Sequence, residues 1–192
     1  MYSIPTIAAG LVLSVLVAST TARPRTLAHL QPSRLDDATI VAIFDAANGA
    51  DIETGQLAAK KGRSAEVREF GAMLARDHKV VQGQGRDLAA KLHVTPTPPA
   101  NDASAKDHAA AMKRLSALSG AAFDRAFLQH EAAFHKAVID AVGTTLLPAI
   151  HNAELRALVV KVAPAFEAHM LAAQTLEKML TGKAATSPNH GH

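Results

Sequence analysis

From Val67 to Leu92 the chain steps along one stripe by fours and threes: Val67, Gly71, Leu74, His78, Val81, Gly85, Leu88 and Leu92. That spacing belongs to an α-helix, and an apolar stripe of this kind is buried only against neighbouring elements. The same stepping returns in Leu155, Val159, Val162, Phe166, His169, Ala173, Leu176 and Leu180, and in Leu128, Glu131, His135, Val138 and Val142. A further run, from Asp36 to Lys61, carries Ile40, Ile43, Phe44, Ala47, Ala50 and Leu57 near one face. Four long amphipathic helices predict an all-α fold in which the stripes face one another.

The punctuation between the runs sets their order. Lys60-Lys61-Gly62 reads as a helix stop, with cations on the negative end of the dipole and a glycine to turn the chain. Ser64 and Asn152 are suited to cap the second and fourth long helices, each with a glutamate, Glu66 or Glu154, in the first turn. The starts Ser64-Ala65-Glu66-Val67-Arg68 and Asn152-Ala153-Glu154-Leu155-Arg156 are alike, which hints at a duplicated helical hairpin. Between the hairpins lie Pro96, Pro98 and Pro99, which cannot continue a helix, then a short helical piece from about Ser104 to Leu118. Two hairpins joined by one long connection predict a ferritin-like four-helix bundle with a Pro-containing crossover and a short extra helix. The third long helix is expected to be interrupted around Gly143 to Pro148, and Pro164 to kink the fourth.

Outside the bundle, assigned to 36–180, the ends are of a different character. Residues 1–22 hold an apolar run, Ile7 to Ala18, and a small-residue exit ending at Ala22; they read as a secretory signal peptide. The run is short for a membrane span of about 20 residues. Residues 23–35 are expected to be a flexible lead-in and 181–192 a disordered tail. The expected location is therefore periplasmic. The chain has no cysteine, which removes disulfides, thiolate metal sites and a cysteine nucleophile, so a metal here needs nitrogen and oxygen ligands. The net charge is only +3, with acids and bases interleaved, no Trp and a single Tyr, Tyr2. Nucleic-acid binding, which wants clustered cations and stacking aromatics, is not expected.

The residues with most chemistry are three histidines, His78, His135 and His169, each on the stripe of a different helix. Glu131 precedes His135 by one turn on the same face, and Glu53 lies near the stripe of the first helix. Glu53, His78, Glu131, His135 and His169 are thus a conceivable ligand set for a divalent metal such as zinc, iron or manganese. Against it stands a structural polar layer, since buried imidazoles are ordinarily held by hydrogen bonds. No glutamate in the chain is followed by histidine three residues later, so the motif that supplies di-iron bundles is absent. On residues alone the polar layer is preferred, no catalytic residue is assigned, and an enzyme is not the expected reading.

The stretches Ala65-Glu66-Val67-Arg68-Glu69-Phe70, Met73-Leu74-Ala75-Arg76-Asp77-His78 and Leu118-Ser119-Gly120-Ala121-Ala122-Phe123-Asp124-Arg125-Ala126-Phe127, with His135 and Glu167-Ala168-His169, resemble domain of unknown function 4142. The resemblance covers about Asp36 to Leu180. It implies a ferritin-like bundle of the bacterial envelope, often labelled an outer-membrane protein, with no established activity. On that resemblance His78, His135 and His169 fall at the family's histidine positions, and no catalytic role carries over. Gly85 stands where the family usually has an apolar residue. Integral outer-membrane proteins are closed β-barrels, so a periplasmic bundle, at most peripherally attached to the membrane, is expected. The sequence reading is an exported structural or interaction protein, stress-related, acting through a protein partner or self-association; a metal-binding or redox protein is the alternative.

Overall fold

The computed structural model describes residues 35–100 and 102–186; the proposed signal peptide, almost all of the lead-in and the last six residues lie outside them. Every regular element among these residues is a helix: α1 (Asp37–Lys61), α2 (Ala65–Lys91), α3 (Ser104–Ala117), α4 (Gly120–Ala141) and α5 (Ala153–Thr186). α4 is interrupted in the expected stretch, after Ala141, though the chain stays helical. It widens into a single π-turn, Val142–Leu146, and closes with one more turn, Leu147–Ala149. The Thr144 hydroxyl donates to the Asp140 carbonyl at 2.7 Å, which satisfies an acceptor beside the widened turn. α5 runs through Pro164 without ending and reaches Thr186, beyond the boundary expected at Leu180.

Two apolar clusters give the direction of each helix. One joins Ile40 and Phe44 of early α1, Ala89 of late α2, Val142 and Leu146 after α4, and Leu155 and Val159 of early α5. The other joins Ala58 of late α1, Val67 and Phe70 of early α2, Leu115 of α3, Phe123 and Phe127 of early α4, and Ala173 of α5. α1 and α5 therefore run one way and α2 and α4 the other, while α3 carries the chain back from one end to the other. α1 packs on α2 and α4, and α5 on α4 and α2, so every neighbour is antiparallel. This is the connectivity of a ferritin-like bundle with one long crossover. α3 lies against α1 and α4, and Lys61 Nζ donates to the Ser116 carbonyl at its end.

The two hairpins are held by matching clamps. The Asp124 carboxylate, buried in the first turns of α4, accepts from the amides of Arg63 and Ser64 at 2.8 and 2.9 Å, just before α2. Asp37, in the first turn of α1, accepts from His151 and Asn152 at 2.9 Å each, just before α5. Arg68 then donates to the carbonyls of Gly62 and Arg63, and Arg156 to that of Ile150. The caps read from the sequence are present: Ser64 Oγ accepts from Val67, and Asn152 Oδ1 from Glu154 and Leu155. The likeness of the two helix starts thus extends to the loops that precede them.

Inside the first hairpin α1 and α2 nearly touch backbone to backbone. A methyl group on Gly55 would lie 2.6 Å from the Gly71 carbonyl oxygen, and one on Gly71 2.6 Å from that of Gly55. Gly85 has a related purpose: a Cβ there would sit 2.8 Å from the Phe44 ring, so the space an apolar residue would take on this stripe is filled from α1.

Candidate metal centre

Between the two apolar clusters lies a layer of buried polar side chains: Asn48, Asp51 and Thr54 of α1, His78 of α2, Glu131 and His135 of α4, and His169 of α5. The antiparallel packing brings the mid-points of four helices to one height. His78, His135 and His169 each offer a nitrogen to a common point, these atoms lying within 4.8 Å of one another, and the ring centroids are 5.1 to 5.5 Å apart. Asp51, Glu131 and His135 form a second group of the same tightness. Phe166 stacks on His78, centroid to centroid 5.9 Å and within 6° of parallel, and closes one side of the layer with carbon.

The hydrogen bonds fix which nitrogen of each ring is free. Asn48 Nδ2 donates to the Phe44 carbonyl at 2.8 Å, which leaves Asn48 Oδ1 facing His78 Nδ1 at 2.9 Å. An amide oxygen only accepts, so Nδ1 of His78 carries the proton and Nε2 a lone pair. His135 Nδ1 faces the Glu131 carbonyl at 2.9 Å and by the same logic is the donor. The two remaining atoms, His78 Nε2 and His135 Nε2, lie 3.4 Å apart. Two lone pairs therefore point into one gap. His169 completes the pattern: its Nε2 is 3.5 Å from the Asp77 carboxylate, and its Nδ1 is buried without a hydrogen-bond partner.

A proton shared across the gap is opposed by the surroundings. Burial pushes the His78 imidazole down to about 3, with His135 and His169 beside it adding to the effect. Burial likewise pushes His135 down to about 4, against the Glu131 carbonyl, which favours its charged form. His169 is also lowered by burial, with Asp77 working the other way. The carboxyls move in the opposite direction. Burial, reinforced by the neighbouring Glu131, raises Asp51 well above the usual carboxylate range. Burial pushes Glu131 up to about 7, while Thr54 and Asp51 beside it hold it back. Asp51 Oδ1 and both Glu131 oxygens are buried with no hydrogen-bond partner.

The residues fit a metal ion. Two nitrogens bound tetrahedrally at about 2.0–2.1 Å from zinc stand about 3.3 Å apart, close to the separation of the two Nε2 atoms. Each histidine also has the outer partner that ligating imidazoles use to fix their free nitrogen, an amide oxygen, a backbone carbonyl or a carboxylate. Asp51 Oδ1, an orphaned carboxylate oxygen, lies 4.0 Å from His135 Nε2.

Of the residues singled out from the sequence, His78, Glu131, His135 and His169 meet in this layer, and Glu53 does not. Glu53 is on the exposed flank of α1, where its carboxylate pairs with His108 of α3 at 2.8 Å. It stands two residues from Asp51, and helix positions two apart face different ways. Asp51 takes the place expected for it. Asp51 and Asn48 were readable in principle: Phe44, Asn48, Asp51, Gly55 and Ala58 step by four and three as the other stripes do, and all are buried.

The model of the family described as Domain of unknown function (DUF4142) matches residues 21–176. The chain belongs to this family. The matched residues include every residue of the polar layer of this DUF4142 chain and both clamping aspartates. No curated protein and no solved structure matches the chain.

Proposed function

We propose that this DUF4142 protein is an exported metal-binding bundle whose centre is formed by His78, His135 and His169, with Asp51 and Glu131 as the carboxylates beside them. The observation that carries the reading is the pair of Nε2 atoms facing each other at 3.4 Å, with each opposite Nδ1 held at 2.9 Å by an amide or backbone carbonyl oxygen. In a buried layer, two carboxyls that burial keeps protonated would ionise beside a positive charge. A divalent cation supplies one, and would let Asp51 and Glu131 ionise. The nitrogen and carboxylate donors suit zinc, iron or manganese. Export rests on the Ile7 to Ala18 run and the small residues before Arg23; no described helix is long and apolar enough to cross a membrane.

The test is elemental mass spectrometry of untagged mature protein purified without chelator, beside the H78A/H135A/H169A variant. About one metal per chain in the wild type, lost in a variant that keeps its helical circular dichroism, is the expected result. No metal after incubation with zinc, iron, manganese and copper would sink the reading and leave a hydrogen-bonded structural layer. N-terminal sequencing of the secreted form is expected to begin at Arg23.

A second reading, self-association in a structural or stress-related role, draws on Val160 and Leu171. Both are exposed on α5, about three turns apart on one side of the helix. A light-scattering concentration series is expected to show a dimer that a V160K/L171K variant no longer forms; a concentration-independent monomer would exclude it.

A further inference from the structure

A largely apolar cleft of about 60 Å³ between α1 and the end of α4 reaches the polar layer at Asn48, Asp51 and His78. Its rim is formed by the half-buried Ile43 and Ala47 on one side and Val138 and Ala141 on the other. Its floor is Asn48, Asp51 and His78, and every side chain above that floor is apolar. Val142 and Leu146, the two ends of the π-turn, form part of the wall. Single π-turns within α-helices are found disproportionately at functional sites. Here the turn stands at the side of the cleft.

We propose that this cleft admits a small, neutral, apolar molecule of the size of dioxygen to the His78 side of the centre. Three features decide the class of molecule. The volume is several times the roughly 10–15 Å³ that one water needs on the same measure, yet too small for an organic metabolite of ordinary size. The side chains above the floor offer no hydrogen-bond partner, so a polar guest would lose its hydration on the way in without replacement. A hydrated cation entering here would shed water against carbon, so the cleft is not the metal's own route. The delivery of the guest to a metal rests on the reading of the centre given above; the cleft itself does not.

Two probes separate these parts. Xenon, applied under pressure to the metal-free protein, is expected to shift the methyl resonances of Ile43, Val138 and Val142 saturably. The shifts should be lost in A47L and A141L, two rim variants that replace no proposed ligand. Nitric oxide, mixed with the Fe(II)-loaded protein in a stopped-flow spectrometer, is expected to give a ferrous nitrosyl spectrum. Its formation should slow at least tenfold in both variants while iron stoichiometry stays unchanged. Absent xenon shifts, or shifts that persist in both variants, overturn the pocket. Saturable xenon with nitrosyl formation at the wild-type rate in both variants overturns the route. Saturable xenon in a protein that takes up no metal overturns the delivery and the metal centre together, a result distinct from either of the others.

Discussion

Asn48 determines which nitrogen His78 turns to the centre. Its own amide is oriented by the Phe44 carbonyl, so one backbone atom of α1 sets the tautomer of an imidazole on α2. Replacing Asn48 by alanine is expected to weaken metal binding roughly 10- to 100-fold, as outer-partner substitutions do. Asn48→Asp, which keeps an acceptor at the same reach, should restore most of it, and competition against a chromophoric chelator reads both. An alanine variant that binds as tightly as the wild type would remove Asn48 from the centre. The histidines of this layer were legible in the sequence because imidazole stands out on an apolar stripe. Asn48 and Asp51 were not, because α1 is rich in Ala and Gly on several sides and its stripe could be drawn along Ile43, Ala47 and Ala50 instead. Once that face was drawn, Glu53 looked close enough to reach inward, and the geometry puts it against His108.

Among the elements, the loops before α2 and α5 rest on single aspartates that belong to other helices. Asp124 is buried and accepts two amide hydrogen bonds, so Asp124→Ala should cost roughly 2–4 kcal/mol, measured as a lower urea midpoint with an unchanged slope. Asp37→Ala, at a half-buried position, should cost less. From sequence Asp124 reads as a helix-dipole residue of its own helix, since nothing local shows that it reaches across to another hairpin. The order of helices, their caps and the proline crossover were legible because each depends on neighbours in the chain. The π-turn was not: Gly143 and Pro148 read as an interruption, and only packing of Val142 and Leu146 into the core keeps the helix going. Glycines divide by the same criterion. Gly71→Ala would drive a methyl into the α1 backbone and should destabilise by about 2 kcal/mol or more, within the range for overpacked cores. A methyl on Gly83 meets nothing within 4 Å, so Gly83→Ala should stabilise by about 0.5–1 kcal/mol through helix propensity. Thermal denaturation of the pair tests the contrast, which the sequence, showing two helical glycines, could not supply.

For the whole molecule, the polar layer ties stability to pH in two opposed ways. His78 folds with a pKa of about 3 and His135 with about 4, against the ordinary 6.5, and burial lowers His169 in the same direction. Their stabilisation is complete above about pH 6.5 and is lost as pH falls through these folded values, because the unfolded chain takes up protons that the folded chain refuses. Glu131 folds with a pKa of about 7 against its ordinary 4.5, and Asp51 is shifted the same way. Their contribution is complete below about pH 4.5 and is lost as pH rises through 7, because the unfolded chain is then relieved of a proton that the folded chain must keep. The lowered histidines cost stability on the acid side and the raised carboxyls on the alkaline side, so the metal-free protein should be most stable near neutral pH and fall away on both sides. Glu131→Gln removes a group that must lose its proton and should flatten the alkaline side. A bound divalent cation changes the sign of that side altogether. It favours ionised carboxylates and neutral imidazoles, so the loaded protein should keep gaining stability above pH 6.5, where the empty one declines. At a free-metal concentration 100 times Kd the gain is about 2.7 kcal/mol, or roughly 5–10 °C in Tm for a chain of this size. Differential scanning calorimetry from pH 5 to 8.5, with and without zinc, reads both effects at once. Parallel pH profiles for the two samples would show that the layer holds no metal; diverging profiles above pH 6.5 would tie its carboxyls and its histidines to one ion.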